Sequence, residues 1–155
     1  MSDVPLVALA SCALLVNLSC DAVARGAITR VGGVETLVRL QRCSNSAVEE
    51  FSTAALANFG LDERSRDLVR WHGGVGGSFF LSSSLHLPTR ITALHSVSNF
   101  SFDHSSMKVL DQLDAYRNVE SKGESFNPES GLAVSIVLRN NTEVDQLPKE
   151  DSHTF

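Results

Sequence analysis

Three histidines, His86, His95 and His104, lie nine residues apart and are the side chains of this chain best suited to metal chemistry. Two histidines of one helix share a metal when they are four residues apart, because both then face the same side. A spacing of nine crosses a helix and a turn, and no Cys-x-x-Cys motif accompanies it. We therefore interpret them as surface or core histidines and expect no metal site.

Asp103, His104 and Ser105 or Ser106 have the residue types of a hydrolytic triad. A nucleophile and its base must meet in space, and residues adjacent in sequence rarely do so. The chain also lacks the Gly-x-Ser-x-Gly motif of a nucleophile elbow. We therefore predict that the protein is not an enzyme and uses no cofactor, and that Asp103 caps a helix.

A glycine-rich run, residues 73–78, has the composition of a phosphate-binding loop. It lacks the Gly-Lys-Ser/Thr ending of such loops and does not follow a strand. Gly73 and Gly74 are better explained as a turn between helices, because glycine tolerates positive φ. Gly76 and Gly77 are additional, and we expect them to shorten or loosen the helix after the turn.

Four asparagines, Asn17, Asn58, Asn99 and Asn140, recur every 41 residues, each with an apolar residue two positions earlier. Their amides can both donate and accept hydrogen bonds. A fixed period near 40 indicates a repeat protein, whose first expected function is binding.

The repeat extends well beyond the asparagines. Residues 13–34 align with residues 54–75 without a gap, and eight of 22 positions are identical. The third copy keeps Asn99 and Asp103 but has Asp114 and Ala115 in place of the glycine pair, and the fourth keeps only its last segment. The identical pairs are Ala13/Ala54, Leu15/Leu56, Asn17/Asn58, Asp21/Asp62, Arg25/Arg66, Gly32/Gly73, Gly33/Gly74 and Val34/Val75.

Each unit carries helix signals in the same order. Apolar residues at helical spacing predict a long helix over 46–60, ended by Gly60. Asp62 stands at an N-cap position before a short helix over 63–71, and the glycine pair then ends that helix. Residues 34–43 predict the medium helix of the preceding unit. One unit is therefore a short helix, a Gly-Gly turn, a medium helix, a polar loop and a long third helix.

The stretch from Asn17 to Phe59 resembles the armadillo repeat, through its Gly-Gly-Val, Leu-Val-Arg-Leu and Ala-x-x-Leu-x-Asn-Phe segments. The related HEAT class shares the period, but the three-helix unit and the glycine pair favour armadillo. The resemblance implies an all-α fold, a right-handed α-solenoid of about three repeats. The expected segments are a lone third helix (4–20), repeats at 21–60 and 62–101, a degenerate repeat (103–142) and a polar, disordered tail (143–155).

The lone third helix leaves apolar surface at the N-terminal end, where repeat arrays need a polar cap. It lacks the basic residues of a secretory signal and is short for a membrane span, so we interpret it as a buried helix without membrane insertion. Three explanations stay open: a fragment of a longer armadillo chain, an atypical cap, or an end that packs against another chain, including a second copy.

In armadillo proteins the repeat asparagine lies on the third helix and holds the backbone of an extended peptide in a concave groove. The resemblance therefore implies partner-binding roles for Asn17, Asn58, Asn99 and Asn140. The alternative is that each asparagine supports a helix end. Side chains expected beside them in the groove are Glu50, Ala54 and His95, whereas Gly32, Gly33, Gly73 and Gly74 form structural turns.

The function predicted from the sequence is a non-enzymatic protein–protein interaction module. An importin-α-type transport adaptor is the alternative, but no tryptophan precedes any repeat asparagine by four residues. The net charge of −5 disfavours nucleic acid as a partner. We expect a cytoplasmic or also nuclear protein, with Cys12, Cys20 and Cys43 as reduced thiols that fill small core gaps.

Overall fold

The computed structural model describes residues 4–121, and eight α-helices without any strand make up that part of the chain. The fold class of this region is therefore all-α, as predicted, whereas Asn140 and the tail over 143–155 lie outside the described residues. The helices are α1 (Val4–Ser19), α2 (Ala22–Arg30), α3 (Gly33–Leu40), α4 (Ser46–Phe59), α5 (Glu63–Trp71), α6 (Gly74–Leu81), α7 (Leu87–Phe100) and α8 (His104–Ser121).

Aspartates directly precede α2, α5 and α8, as the repeat predicted. Asp21 accepts a hydrogen bond from the backbone N–H of Ala24 at 2.8 Å, and Asp62 accepts one from Ser65 at 3.0 Å. Asp103 accepts one from the Ser106 N–H at 2.8 Å. Each carboxylate satisfies a donor that the first helical turn leaves without a partner.

The two glycines of each pair have different tasks. Gly32 and Gly73 have φ values of 74° and 82°, a left-handed conformation that glycine adopts without steric cost. The second glycine begins the next helix in close contact with the previous one. A Cβ at Gly33 would lie 2.4 Å from Ile28 Cγ2, and one at Gly74 would lie 2.6 Å from Val69 Cγ1. The pair therefore permits both the sharp turn and the close packing of the helices it joins.

The third unit shows the effect of losing the glycine pair. Asp114 and Ala115 occupy its place, and α8 continues through them as one helix of 18 residues. The helix runs on to Ser121, beyond the place of the glycine pair. Neither residue favours the left-handed conformation as glycine does, so the helix has no reason to turn there.

The extra glycines do not shorten α6, contrary to the expectation from composition. α6 has eight residues, the same number as α3. A Cβ at Gly77 would lie 2.1 Å from Gln41 Oε1, so the missing side chain makes room for the end of α3. Gly60 likewise ends α4 with an ordinary φ of −63°, and its Cβ position is only 3.1 Å from Asn99 Cβ in α7. Both glycines permit close approach rather than an unusual backbone conformation.

The third helices α1, α4 and α7 form a row, with α4 packed between the other two. The medium helices support this row, because α3 packs on α4 and α6 packs on α7. Each unit thus contacts its sequence neighbours, which is the architecture of a helical repeat. None of the helices described is long and apolar enough to cross a membrane. The large apolar side chains that are fully buried between the helices are Leu37, Leu56, Phe59, Val69, Val75, Phe100 and Leu113.

Candidate functional site

The repeat places the expected groove residues at equivalent positions of adjacent third helices. Glu50, Ala54 and Asn58 follow one another along a half-buried face of α4. On α7, exposed His95 and half-buried Asn99 take the positions of Ala54 and Asn58. Residues four apart share a helix face, and α4 and α7 pack side by side. These five side chains therefore border one accessible strip, which we call the third-helix face.

Asn58 connects α4 to the end of α1. Its Nδ2 donates to Ser19 Oγ at 2.9 Å and to the Val16 carbonyl at 3.3 Å. The Ser19 hydroxyl also donates to the Val16 carbonyl, at 2.8 Å. The last carbonyls of a helix lack partners within the helix, so the amide completes the hydrogen bonding of this terminus.

Asn99 makes the equivalent contact one unit later. Its Nδ2 donates to the Ala57 carbonyl at 2.9 Å. Ala57 lies 42 residues before Asn99, the same separation as between Val16 and Asn58. Asn17 is exposed, and its side chain makes no hydrogen bond within the described part of the chain. The asparagine therefore supports the preceding third helix wherever such a helix is present.

This contact uses the amide nitrogen of the asparagine and leaves the amide oxygen available. Within residues 4–121, no hydrogen bond reaches Oδ1 of Asn58 or Asn99, although both side chains are half exposed. An amide oxygen accepts hydrogen bonds and cannot donate them. The polar group that each asparagine can offer to a partner is therefore an acceptor, whose position is fixed by the bonds of Nδ2.

An arginine of the short helix, for which the sequence shows a repeat position but no role, joins three parts of the array. Arg25 is 8% exposed, and its Nη1 donates to the Ser19 carbonyl at 2.8 Å. Its Nε donates to the Asp62 carboxylate of the next unit at 3.1 Å. Arg66 repeats the first contact through Nη1 to the Gly60 carbonyl at 2.9 Å. The signal in the sequence for this structural role was that Arg25 and Arg66 are the same residue at an offset of 41.

The next unit makes its ion pair with a different arginine. Arg70, not Arg66, donates to Asp103 Oδ2, at 2.8 Å, and Arg70 also contacts Asp67. Nε of Arg66 is buried and has no hydrogen-bond partner. The second junction therefore has an aspartate at the same repeat position, Asp103 in place of Asp62, but its arginine partner comes from a different position.

These contacts lower the pKa of the junction carboxylates. Burial acts to raise the pKa of Asp62, but hydrogen bonds from Ser65 and Arg25 and the charge of Arg25 outweigh it. The pKa of Asp103 is lowered in the same way, since burial is outweighed by bonds from Ser106 and the charge of Arg70. Both groups stay ionised at neutral pH, where they hold consecutive units together.

A buried polar chain crosses the array behind the third-helix face. Gln41 Nε2 donates to Ser78 Oγ at 2.9 Å, and the Ser78 and Ser96 hydroxyls are 2.8 Å apart. All three residues are almost fully buried, and Oε1 of Gln41 has no partner. The chain links α3, α6 and α7, and we assign it a structural role because none of these residues reaches the surface.

The remaining polar groups suited to chemistry are dispersed. Within residues 4–121, no three His, Cys, Asp or Glu side chains lie close enough to hold a metal ion. Cys12 is fully buried, and burial together with nearby Cys43 raises the pKa of its thiol. Cys20 is exposed, so the expectation that all three thiols fill core gaps is wrong for this residue. Cys20 comes directly after the last residue of α1, and its thiol stays exposed although Asn58 of α4 contacts it at 3.6 Å.

Comparison with known proteins informs the fold alone. A scan against protein-family models and a search of curated proteins gave no match. Among solved structures, the chain is similar to an engineered protein determined by the Northeast Structural Genomics Consortium, with a TM-score of 0.63 and 24% sequence identity. The alignment covers 81% of this chain, and the chain spans about half, 52%, of that protein. The similarity supports an all-helical architecture.

Proposed function

We propose that the protein is a short armadillo-type solenoid that binds a partner protein on its third-helix face. The observation that carries the proposal is the recurrence of accessible residues at equivalent positions of α4 and α7. Glu50, Ala54 and Asn58 have Ile91, His95 and Asn99 as counterparts, and Ile91 is 46% exposed. Repeated helices side by side form extended binding surfaces of this kind.

An extended peptide is the ligand that this surface suits best. Asn58 and Asn99 each present an amide oxygen, and the backbone N–H groups of an extended chain are donors that alternate in direction. Glu50 would favour a basic or hydroxyl-bearing side chain beside one asparagine, whereas Ile91 would favour an apolar side chain beside the other. The ligand class is therefore a short peptide segment with mixed polar and apolar side chains.

Selection from a random peptide library displayed on phage tests the proposal directly. The immobilised chain should enrich peptides that lose at least about tenfold in affinity, or about 1.4 kcal/mol, when Ala54→Arg blocks the face. Ala27→Arg is the matched control, because Ala27 is exposed on α2, away from the third helices. Circular dichroism should show equal helicity for both variants.

Two outcomes would contradict this function. Either no peptide is enriched above an unrelated helical protein, or the enriched peptides bind Ala54→Arg as tightly as the unchanged chain. A lysine-rich peptide belongs in the same assay. Tight binding of that peptide would support the transport-adaptor alternative instead, despite the absence of the tryptophan pattern.

A further inference from the structure

The face of α1 turned away from α4 is apolar and open to solvent. Val7 is 63% exposed, Leu14 is 58% exposed and Leu18 is 43% exposed, and Ser11 between them is also exposed. Positions 7, 11, 14 and 18 have the alternating spacing of four and three residues at which helices pack in pairs. We call these four residues the α1 stripe.

The same positions are covered in the later units, where a neighbouring helix is present. The counterparts of the α1 stripe are at most 2% exposed in both later third helices, where α1 covers α4 and α4 covers α7. The α1 stripe is thus the same packing surface without its neighbour. The counterparts are Val48, Ser52, Ala55 and Phe59 in α4, and Thr89, Ala93, Ser96 and Phe100 in α7.

The chemistry of α1 restricts what can cover the stripe. No charged residue occurs from Val4 to Ser19, so the stripe offers no ion pair to a charged partner. Burying it against a charged surface would leave that charge without compensation. The occupant must itself present a neutral, apolar helix face, and the α1 stripe of a second copy is such a face.

The stripe is also complementary to itself. In an antiparallel pair with a two-fold axis at the level of Cys12 and Ala13, Val7 faces Leu18 of the second copy and Ser11 faces Leu14. The central contacts then place a small side chain opposite a large one, which lets the helices approach closely. A two-fold contact of this kind uses the same patch on both copies and closes without further growth.

We propose that the protein forms a two-fold dimer through the α1 stripe. The stripe spans about 17 Å, from a rise of 1.5 Å per residue, so a contact between two such stripes is small beside the roughly 800 Å² per partner of a standard interface. The dimer is therefore reversible and depends on protein concentration. Peptide binding on the third-helix face does not require it.

Sedimentation velocity of the full chain from micromolar to near-millimolar concentration tests the dimer. The sedimenting mass should rise from one copy to two. Val7→Lys alone and Leu18→Glu alone should each weaken dimerisation at least about tenfold, because each buries an uncompensated charge. Val23→Arg is the matched control, since Val23 is 79% exposed and its counterpart Arg64 is an exposed arginine.

Mixing the two charged variants tests the arrangement. The introduced lysine and glutamate face each other only between unlike copies, so the mixture should form a heterodimer that neither variant forms alone. A mass of one copy at every concentration would overturn the dimer. Single variants that dimerise normally, growth beyond two copies, or a mixture that stays monomeric would overturn the two-fold pairing.

Discussion

At the scale of single residues, the repeat asparagine combines two tasks that the sequence presents as alternatives. Nδ2 of Asn58 supports the end of α1, and the Oδ1 atom stays available on the surface. The hydrogen bonds of Nδ2 fix the orientation of the amide, so the acceptor is already positioned before a ligand arrives. Such preorganisation reduces the entropy lost on binding.

The structural half of this role can be measured without a ligand. Asn58→Ala removes the bonds to Ser19 and Val16, and we expect the free energy of unfolding to fall by about 1 kcal/mol, the net value of a typical hydrogen bond. Asn17→Ala is the matched control, because it changes the same repeat position where no preceding helix is packed. Urea denaturation compares the two, and equal losses would show that the inter-helix bond contributes nothing.

His72 provides a prediction of pH dependence. Burial lowers the pKa of its imidazole, and the charge of Glu35 offsets this only in part. The unfolded chain therefore takes up the proton first, below about pH 6.5, and stability is lost as pH falls through that range. Urea denaturation at neutral pH and at about pH 5 should show a smaller loss for His72→Gln, and an equal loss in both proteins would contradict the assignment.

At the scale of helices, the glycine pair decides whether the short and medium helices of a unit are separate or continuous. Both observed turns contain a left-handed first glycine, and α8 runs on where the pair is missing. The second glycine adds a steric requirement, because its backbone touches the preceding helix. The two requirements are separable by substitution.

Substitutions at Gly32 and Gly33 should distinguish conformational from steric strain. A Cβ at Gly32 meets nothing within 4 Å, so Gly32→Ala is destabilised only by the left-handed backbone conformation. We expect its free energy of unfolding to fall by about 1–2 kcal/mol. Gly32→Asn should be milder, since asparagine tolerates that conformation. Gly33→Ala should cost more than Gly32→Ala, because its Cβ would also lie 2.9 Å from the Ile28 carbonyl oxygen. Thermal unfolding ranks the three variants, and a smaller loss for Gly33→Ala would contradict the steric role.

The helices were largely predictable because the period fixes their order and capping residues mark their ends. The helix expected over 63–71 is α5, and the one expected over 46–60 is α4 without its last residue. Close approach was not predictable, since nothing in the sequence shows that Gly60 and Gly77 face other helices. For the same reason the partner change from Arg66 to Arg70 at Asp103 could not be foreseen.

At the scale of the whole molecule, the helical row has a centre and an open edge. α4 is covered on both sides by third helices, whereas α1 is covered on one side only. Stability in a linear array comes from each unit and from its contacts with nearest neighbours. The packed centre and the open edge should therefore differ in how readily their backbone hydrogen bonds open.

Hydrogen exchange followed by mass spectrometry should resolve this difference. Amides of α4 should exchange most slowly, through opening of the whole array, and amides of α1 should exchange faster through local opening of the edge. Raising the protein concentration should slow exchange in α1, because the dimer covers the α1 stripe. It should also slow exchange in α4, because opening of the whole array requires the dimer to dissociate. The Val7→Lys variant should lose this dependence on concentration. Equal protection of α1 and α4 at low concentration would show that the row unfolds as a single cooperative unit, with no weaker edge for a second copy to stabilise.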